Sequence, residues 1–357
     1  MVTTPGSGQL DTSNMNASST TVLGGAVDQL ASSNSTFSGA TSSNATLAAG
    51  ASNASIGSGA IVNAVVSGSG TVDTSGQTGG GYQIITQGTT SSNTFVFGSG
   101  VNNILGTNDA NNTVFSGGGG NTTVAAGNGN NLIGTATTGG GNVNISVGTG
   151  SDTIIAASGN NTIKASGASL IGLGSGNANV DVSGGNGATV FGGSGNSSIT
   201  AGTNSTIAGG VGSTTVLGNA GSVIFASYTA STAGSTLIAG TGPETLSGGI
   251  SRANNTFTGG SGNDLIAAGT GNDTINTGTG NATIFGGGGN NLFTFGTTHG
   301  NVSIADYGAG DKLSFAGYTA SQILANSTST QGLTTIKLPD GTTIQVFGAA
   351  LTANSFA

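Results

Sequence analysis

Few residues in this 357-residue chain can do chemistry, and that scarcity is the first constraint on what it does. Twelve acids face four bases, Lys164, Arg252, Lys312 and Lys337, for a net charge of -8. There is one histidine, His299, one glutamate, Glu244, and no cysteine. General acid–base and nucleophilic catalysis need positioned acids, bases or nucleophiles. A paired-histidine metalloprotease site cannot be assembled, thiolate chemistry is excluded, and a two-carboxylate glycosidase would rest on Asp alone. The run Gly286–Gly289 lacks the Lys that follows in a phosphate-binding loop. His299 lies in a Gly/Thr stretch and is expected on a surface loop, and Asp306 and Asp311 are the nearest acid pair outside the repeats. With no catalytic set in view, the chain is not expected to be an enzyme. Three acids share one local context: Asp152, Asp264 and Asp273 each follow Gly-x-Gly-x, as in Gly260-Ser-Gly-Asn-Asp264.

What positions those acids is a nine-residue beat. Residues 259–294 divide into four consecutive nonads, GGSGNDLIA, AGTGNDTIN, TGTGNATIF and GGGGNNLFT. Their eighth positions are Ile266, Ile275, Ile284 and Phe293, and the same apolar position recurs back through Ile224, Val216, Ile207, Ile199, Val190, Val180, Ile171, Ile163, Ile154, Ile145, Ile133 and Val124. The Ser/Thr-rich start keeps a cousin of the pattern at Asn34–Phe37, Asn44–Leu47 and Asn53–Ile56. The first six residues of a nonad, rich in Gly and Asn, suit a tight turn with positive φ, and the last three suit a very short strand with one inward apolar side chain. Two nonads then make one coil. Stacked coils pair their backbones in two parallel sheets around a thin Ile/Val/Leu core. The predicted fold is all-β: a parallel β-roll or β-solenoid with a C-terminal β cap.

In these residues the sequence resembles the repeats-in-toxin (RTX) family, whose nonad reads G-G-x-G-x-D-x-(apolar)-x. The match is close at Gly259–Ala267 and good at Ala268–Asn276 and Val147–Ile155. The resemblance implies a calcium-bound β-roll in which the sixth-position Asp holds the ion together with turn carbonyls, since oxygen ligands suit that cation. It therefore points to Asp152, Asp264 and Asp273 as metal ligands and to calcium as the cofactor. A site needs aligned turns on neighbouring coils, yet eighteen residues after Asp264 stands Ala282, and after Asp273 stands Asn291. Elsewhere the sixth position is Thr122, Asn131, Asn161, Ala178 or Ser197. Calcium is thus expected at a few sites only, with Asn and Thr holding the other turns through stacked side-chain hydrogen bonds.

After Gly300 the beat breaks. Val302–Phe315, with Asp306-Tyr-Gly-Ala-Gly-Asp311, resembles the stretch that closes such rolls. Thr334–Leu338 and Thr342–Val346 flank Pro339-Asp-Gly341 and alternate apolar with polar residues, which predicts a hairpin. This hairpin and the tail to Ala357 resemble the uncleaved C-terminal signal of type I secreted proteins. The division is then 1–80, a Ser/Thr/Asn-rich region of irregular repeats; 81–300, the RTX-like solenoid; and 301–357, the cap and secretion signal.

Composition narrows the function classes. With 71 Gly but 3 Pro, collagen is excluded; with 4% charged and 5% aromatic residues, neither charge-driven disorder nor a large globular core fits. Lacking a basic patch, the chain is not expected to bind nucleic acid. No run of 18 apolar residues predicts a membrane span, and Met1–Leu10 has neither the basic nor the apolar region of an ordinary signal peptide. The expectation is a secreted extracellular structural protein, such as a surface-layer, biofilm-matrix or filament subunit, with self-association and the type I secretion apparatus as its partners. The other reading is a binding module, either an adhesin or an ice-binding repeat protein, with Thr270–Asn272 and Thr279–Asn281 forming a flat polar array.

Overall fold

The computed structural model describes residues 2–4, 8–10, 42–48, 61–67, 69–74, 81–87, 92–98, 102–107, 109–117, 119–135, 141–225, 231–249 and 251–357. The repeat cousins at Asn34–Phe37 and Asn53–Ile56 lie outside these residues. The chain divides into two compact units, Met1–Thr189 and Val190–Ala357.

In the unit Met1–Thr189, successive strands alternate between two parallel sheets. One sheet runs from Ser42–Ala48 through Ile61–Ser67, Gly81–Gln87, Asn102–Gly106, Thr122–Ala125, Val143–Val147 and Asn161–Ala165 to Ala178–Asp181. The other runs from Gly70–Thr74 through Asn93–Phe97, Thr113–Ser116, Leu132–Thr135 and Thr153–Ala156 to Leu170–Leu173. A short antiparallel pair, Val2–Thr4 with Gly8–Leu10, stands apart at the start. Eighth-position residues align in register, Val114 with Ile133 and Ile154 in one sheet and Val124 with Ile145 and Ile163 in the other, and each is 1% exposed or less. A three- to five-residue strand with one inward side chain buries its apolar atoms only when the next coil covers it. That is why the beat must be regular.

The unit Val190–Ala357 repeats the arrangement. Its first sheet stacks Ser197–Thr200, Thr214–Leu217, Thr236–Ile238, Thr256–Thr258, Thr274–Asn276, Leu292–Phe295 and Lys312–Phe315. The second stacks Thr206–Ala208, Val223–Phe225, Thr245–Ser247, Asn263–Ala267, Asn281–Phe285 and Val302–Tyr307. The core ladder Phe257, Ile275, Phe293 and Leu313 faces the ladder Leu246, Ile266, Ile284 and Ile304, and all eight side chains are fully buried.

The closing segment has the expected hairpin. Leu333–Lys337 pairs antiparallel with Thr343–Gly348, and Gly341 turns at φ +91°. Thr343–Gly348 then adds in parallel to Val302–Tyr307, so the hairpin occupies what would be the open edge of that sheet. The other edge is met by the tail, where Leu313 bridges to Phe356 and the Ala357 N–H donates to the Leu313 carbonyl at 3.0 Å. The short helix Ala320–Ala325, which the apolar pattern did not announce, is started by Thr319, whose hydroxyl accepts from the Gln322 N–H at 3.3 Å while its own N–H donates to Gln322 Oε1 at 2.8 Å. His299 corrects part of an expectation: it lies in the loop between Leu292–Phe295 and Val302–Tyr307, but its side chain is 8% exposed and edge-on to Phe295 at 5.9 Å between ring centroids. The Phe295–Phe315 stack at 4.2 Å creates the apolar seat that draws the imidazole in.

Candidate metal centre

The sixth-position side chains point into the turns, and the structure joins them into ladders. In the unit Met1–Thr189 the Gly70 N–H donates to Asn93 Oδ1 and the Asn93 N–H to Asn112 Oδ1; Asn112 N–H donates to Asn131 Oδ1 and Asn131 N–H to Asp152 Oδ1, at 2.9–3.1 Å. In the unit Val190–Ala357, Thr214 N–H donates to Ser235 Oγ, Ser235 N–H to Asn255 Oδ1, Asn255 N–H to Asp273 Oδ1, Asp273 N–H to Asn291 Oδ1 and Asn291 N–H to Asp311 Oδ1, at 2.6–3.1 Å. In every rung the later coil's side chain accepts from the earlier coil's backbone. Three of these Asn also secure themselves locally: Asn112, Asn131 and Asn255 donate through Nδ2 to the carbonyl two residues back, at 2.7–3.0 Å. An amide therefore satisfies both of its ends in this turn, whereas a carboxylate has only acceptors to offer.

The three predicted acids are all buried here, at 1–3% exposure, but they are not equivalent. Asp152 has both oxygens engaged, Oδ1 by Asn131 and Oδ2 by the Ser169 hydroxyl at 3.4 Å. Asp264 Oδ1 accepts from the Glu244 N–H at 3.0 Å and Oδ2 from the Gly260 N–H at 2.7 Å. Asp273 spends Oδ1 on Asn255, and its Oδ2 is buried with no partner among the described residues. Asp264 lies on Asn263–Ala267 of one sheet and Asp273 immediately precedes Thr274–Asn276 of the other, so they do not share one turn.

Sequence reasoning missed Glu244. It stands at the sixth position of Ala239–Ser247 and stacks directly before Asp264 on the preceding coil, because Thr245 pairs with Leu265. Glu244 Oε2 accepts from the Gly240 N–H at 2.5 Å, and Oε1 is buried without a partner. The expected partner position is eighteen residues after Asp264, where Ala282 does stack, whereas Glu244 lies on the coil before, twenty residues back. Asp311, expected as part of the closing stretch, also joins the ladder, twenty residues after Asn291. Burial pushes the carboxyl of Glu244 up to about 7, with the neighbouring Asp264 charge adding to the rise and the Gly240 N–H opposing it. Burial likewise raises Asp273 to about 6, against the hydrogen bonds from Asn255. It also raises Asp264 and Asp152, against the N–H groups that bind them.

Buried carboxylates with unfilled oxygens and no base beside them suit a divalent cation, which supplies the missing positive charge. Among the described residues no three His, Cys, Asp or Glu side chains gather in one place, so the remaining donors are the carbonyls of the Gly-rich turns. Those turns approach closely: a Cβ on Gly262 would strike the Gly242 carbonyl, and one on Gly280 the Gly262 carbonyl.

The family model for the RTX calcium-binding nonapeptide repeat matches residues 135–164, 238–275, 251–284 and 258–293, which contain Asp152, Glu244, Asp264 and Asp273. No curated protein matches the chain. No helix among the described residues is long and apolar enough to cross a membrane. Parallel coils, buried sixth-position acids and the matched repeats agree: residues 135–164 and 238–293 are RTX calcium-binding nonapeptide repeats, set in an almost entirely β chain whose described coils stack as a parallel β-roll.

Proposed function

We propose that this is a secreted structural protein that associates with copies of itself through the outside of the roll. The supporting observation lies in the unit Met1–Thr189, where Phe115, Leu132, Ile155 and Leu170 are 44%, 39%, 52% and 45% exposed. They occupy four successive strands of one sheet in two alternating columns, Phe115 and Ile155 in one and Leu132 and Leu170 in the other, so they form a staggered stripe. A contiguous apolar patch marks a contact surface, and a second copy presenting the same stripe would cover it. Light scattering across a concentration series tests this. The protein should form assemblies that the double substitution Ile155→Lys, Leu170→Lys returns to monomer, and a parent protein that stays monomeric throughout would refute the reading.

Under the same proposal calcium is held by Asp273, by the Glu244–Asp264 pair and by Asp152 with turn carbonyls, and its chemistry is structural. Export through a type I apparatus by way of the segment 301–357, and placement at the cell surface or in a matrix, belong to this reading. So does the division at residues 80 and 300. The idea that an uncapped N-terminal edge mediates end-to-end stacking rests on residues that are largely outside those described.

One observation favours the binding-module reading. Thr270–Asn272 and Thr279–Asn281 precede strands of opposite sheets, so they make no common array. Instead Thr215, Thr236, Thr256 and Thr274 align in register along one outer face of the unit Val190–Ala357. Such a row of hydroxyls suits ordered water, and an absence of thermal hysteresis would remove ice as its target.

A further inference from the structure

We propose that the outer face of the last coils before the cap is a binding groove for an uncharged polysaccharide chain. A groove of about 670 Å³ lies in the unit Val190–Ala357, within the size range of ligand sites. Asn263, Asn281, Asn301, Thr283, Ser303 and Gln345 line it. The register sets Asn263 beside Asn281, and Thr283 beside Ser303 beside Gln345. Strand alternation sends Ile284, Ile304 and Val346 into the core and these polar side chains outward.

Part of the polar lining is already committed. Asn281 Nδ2 donates to Asn263 Oδ1 at 2.9 Å, the Asn301 N–H to Asn281 Oδ1 at 2.9 Å, and the Thr343 N–H to Asn301 Oδ1 at 2.8 Å. These bonds fix the three amides in one orientation along the groove. The Nδ2 groups of Asn263 and Asn301, the hydroxyls of Thr283 and Ser303, and the Gln345 amide have no partner among the described residues. The single carboxylate in the lining, Asp264, is 3% exposed and has both oxygens taken by the Glu244 and Gly260 N–H groups. The lining thus offers ordered donors and acceptors and no accessible charge, and the one cation at its rim, Lys337 beside Thr343, is a single charge, so a polyanion would lose most of its hydration there without matching counter-charges.

Two residues further along the same outer face stand Phe285 and Phe347, 43% and 38% exposed. One strand, Val302–Tyr307, separates theirs; two strand spacings are roughly 10 Å, and the bulge between Ile304 and Tyr307 lies opposite Phe347. A sugar ring has an apolar C–H face that stacks on an aromatic ring and a rim of hydroxyls that both donate and accept. An edge of paired neutral amides beside exposed rings, repeating at a strand spacing close to the length of one hexose unit, matches that alternation. The site is in a different unit from the apolar stripe, and neither reading depends on the other.

Affinity electrophoresis of the full chain in native gels tests it, because the net charge of -8 gives the protein steady mobility. Gels would contain hydroxyethylcellulose, laminarin or dextran as neutral probes, and alginate as the anionic one. The expected result is retardation by at least one neutral glucan and none by alginate. Phe285→Ala with Phe347→Ala should weaken it roughly tenfold or more, the scale of two lost stacking contacts. Gln345→Glu should weaken it without removing a ring, and Thr162→Ala, exposed and outside both the groove and the apolar stripe, should leave it unchanged. An unaltered melting midpoint checks that the exposed-ring variants remain folded. Retardation by none of the neutral glucans, equal retardation by alginate, or indifference to the Phe285 and Phe347 changes would overturn the proposal. So would loss of self-association in light scattering from those changes without any effect on glucan retardation, which would assign the groove to a second copy.

Discussion

A buried carboxylate oxygen without a donor is costly, and two stand among the described residues, on Glu244 and Asp273. Leaving such a group unsatisfied costs on the order of 1–3 kcal/mol, more if it is charged. Both groups have folded pKa values raised by burial, to about 7 and about 6. Between the usual carboxylate range and those values the folded chain therefore holds more protons than the unfolded one. Their contribution is most favourable at low pH and is lost as pH rises through 6 and 7. A bound cation does at pH 8 what the protons do at pH 5. Calcium should raise the melting midpoint at pH 8 and raise it less at pH 5, and scanning calorimetry with and without a chelator measures both; identical midpoints at pH 8 would defeat the structural role of calcium. Asp273→Asn should stabilise the metal-free protein at pH 8 by about 1–3 kcal/mol, since an amide there can donate to the Gly271 carbonyl as Asn255 does to that of Ala253. The same change should shrink the calcium effect.

At the scale of the turn and its strand, two sets of rungs run in opposite senses. Sixth-position side chains accept from the coil before, whereas fifth-position Asn side chains accept from the coil after: Asn254 from the Asn272 N–H, Asn272 from the Asn290 N–H, and Asn281 from the Asn301 N–H, at 2.7–2.9 Å. Together they tie turns to both neighbours, through Asn and Ser at most of the rungs and through carboxylates at Asp152, Asp264, Asp273 and Asp311. The fourth-position glycine is what lets them stack, as Gly242, Gly262, Gly280 and Gly300 follow one another with each carbonyl against the next Cα. Gly280→Ala should cost about 1–3 kcal/mol by forcing two backbones apart, read as a lower denaturation midpoint in urea. Ala at Gly172, which meets nothing within 4 Å, is the matched control and should be near neutral.

For the whole molecule the problem is the open edge that every parallel stack leaves. The cap meets it twice: the hairpin Leu333–Gly348 pairs with Val302–Tyr307, and Phe356 with Ala357 meets Leu313. Asp306 fastens the cap to the coil before, accepting from the Gly286 and Gly287 N–H groups at 2.7 and 2.9 Å, while the Tyr307 hydroxyl donates to the Asp311 carbonyl at 2.8 Å. Deleting Leu333–Ala357 removes a sheet strand, the tail bridge and the proposed export signal together. The truncated protein should stay inside the cell and sediment as aggregate; its appearance in the medium at parental levels would refute the export reading.

The sequence by itself determined the all-β roll. A nonad confines each buried residue to one place per turn, and Ile266, Ile275, Ile284 and Phe293 could be read as core before any coil was seen, as each is fully buried. It also determined the hairpin, whose Pro-Asp-Gly turn and alternating strands are local chemistry. Coil length was not legible in the same way. The coils are not uniform, being eighteen residues from Asp273 to Asn291, twenty from Glu244 to Asp264 and twenty-one from Asn131 to Asp152. Turns absorb extra residues without disturbing strand register, so eighteen residues back from Asp264 stands Leu246 and not the stacked Glu244. Only the stacking of coils decided that Glu244 meets Asp264, that Asp273 keeps one oxygen unpaired while Asp152 keeps none, and that His299 is buried. Those are facts about neighbours across the sheet, set by hydrogen-bond register and not by distance along the chain.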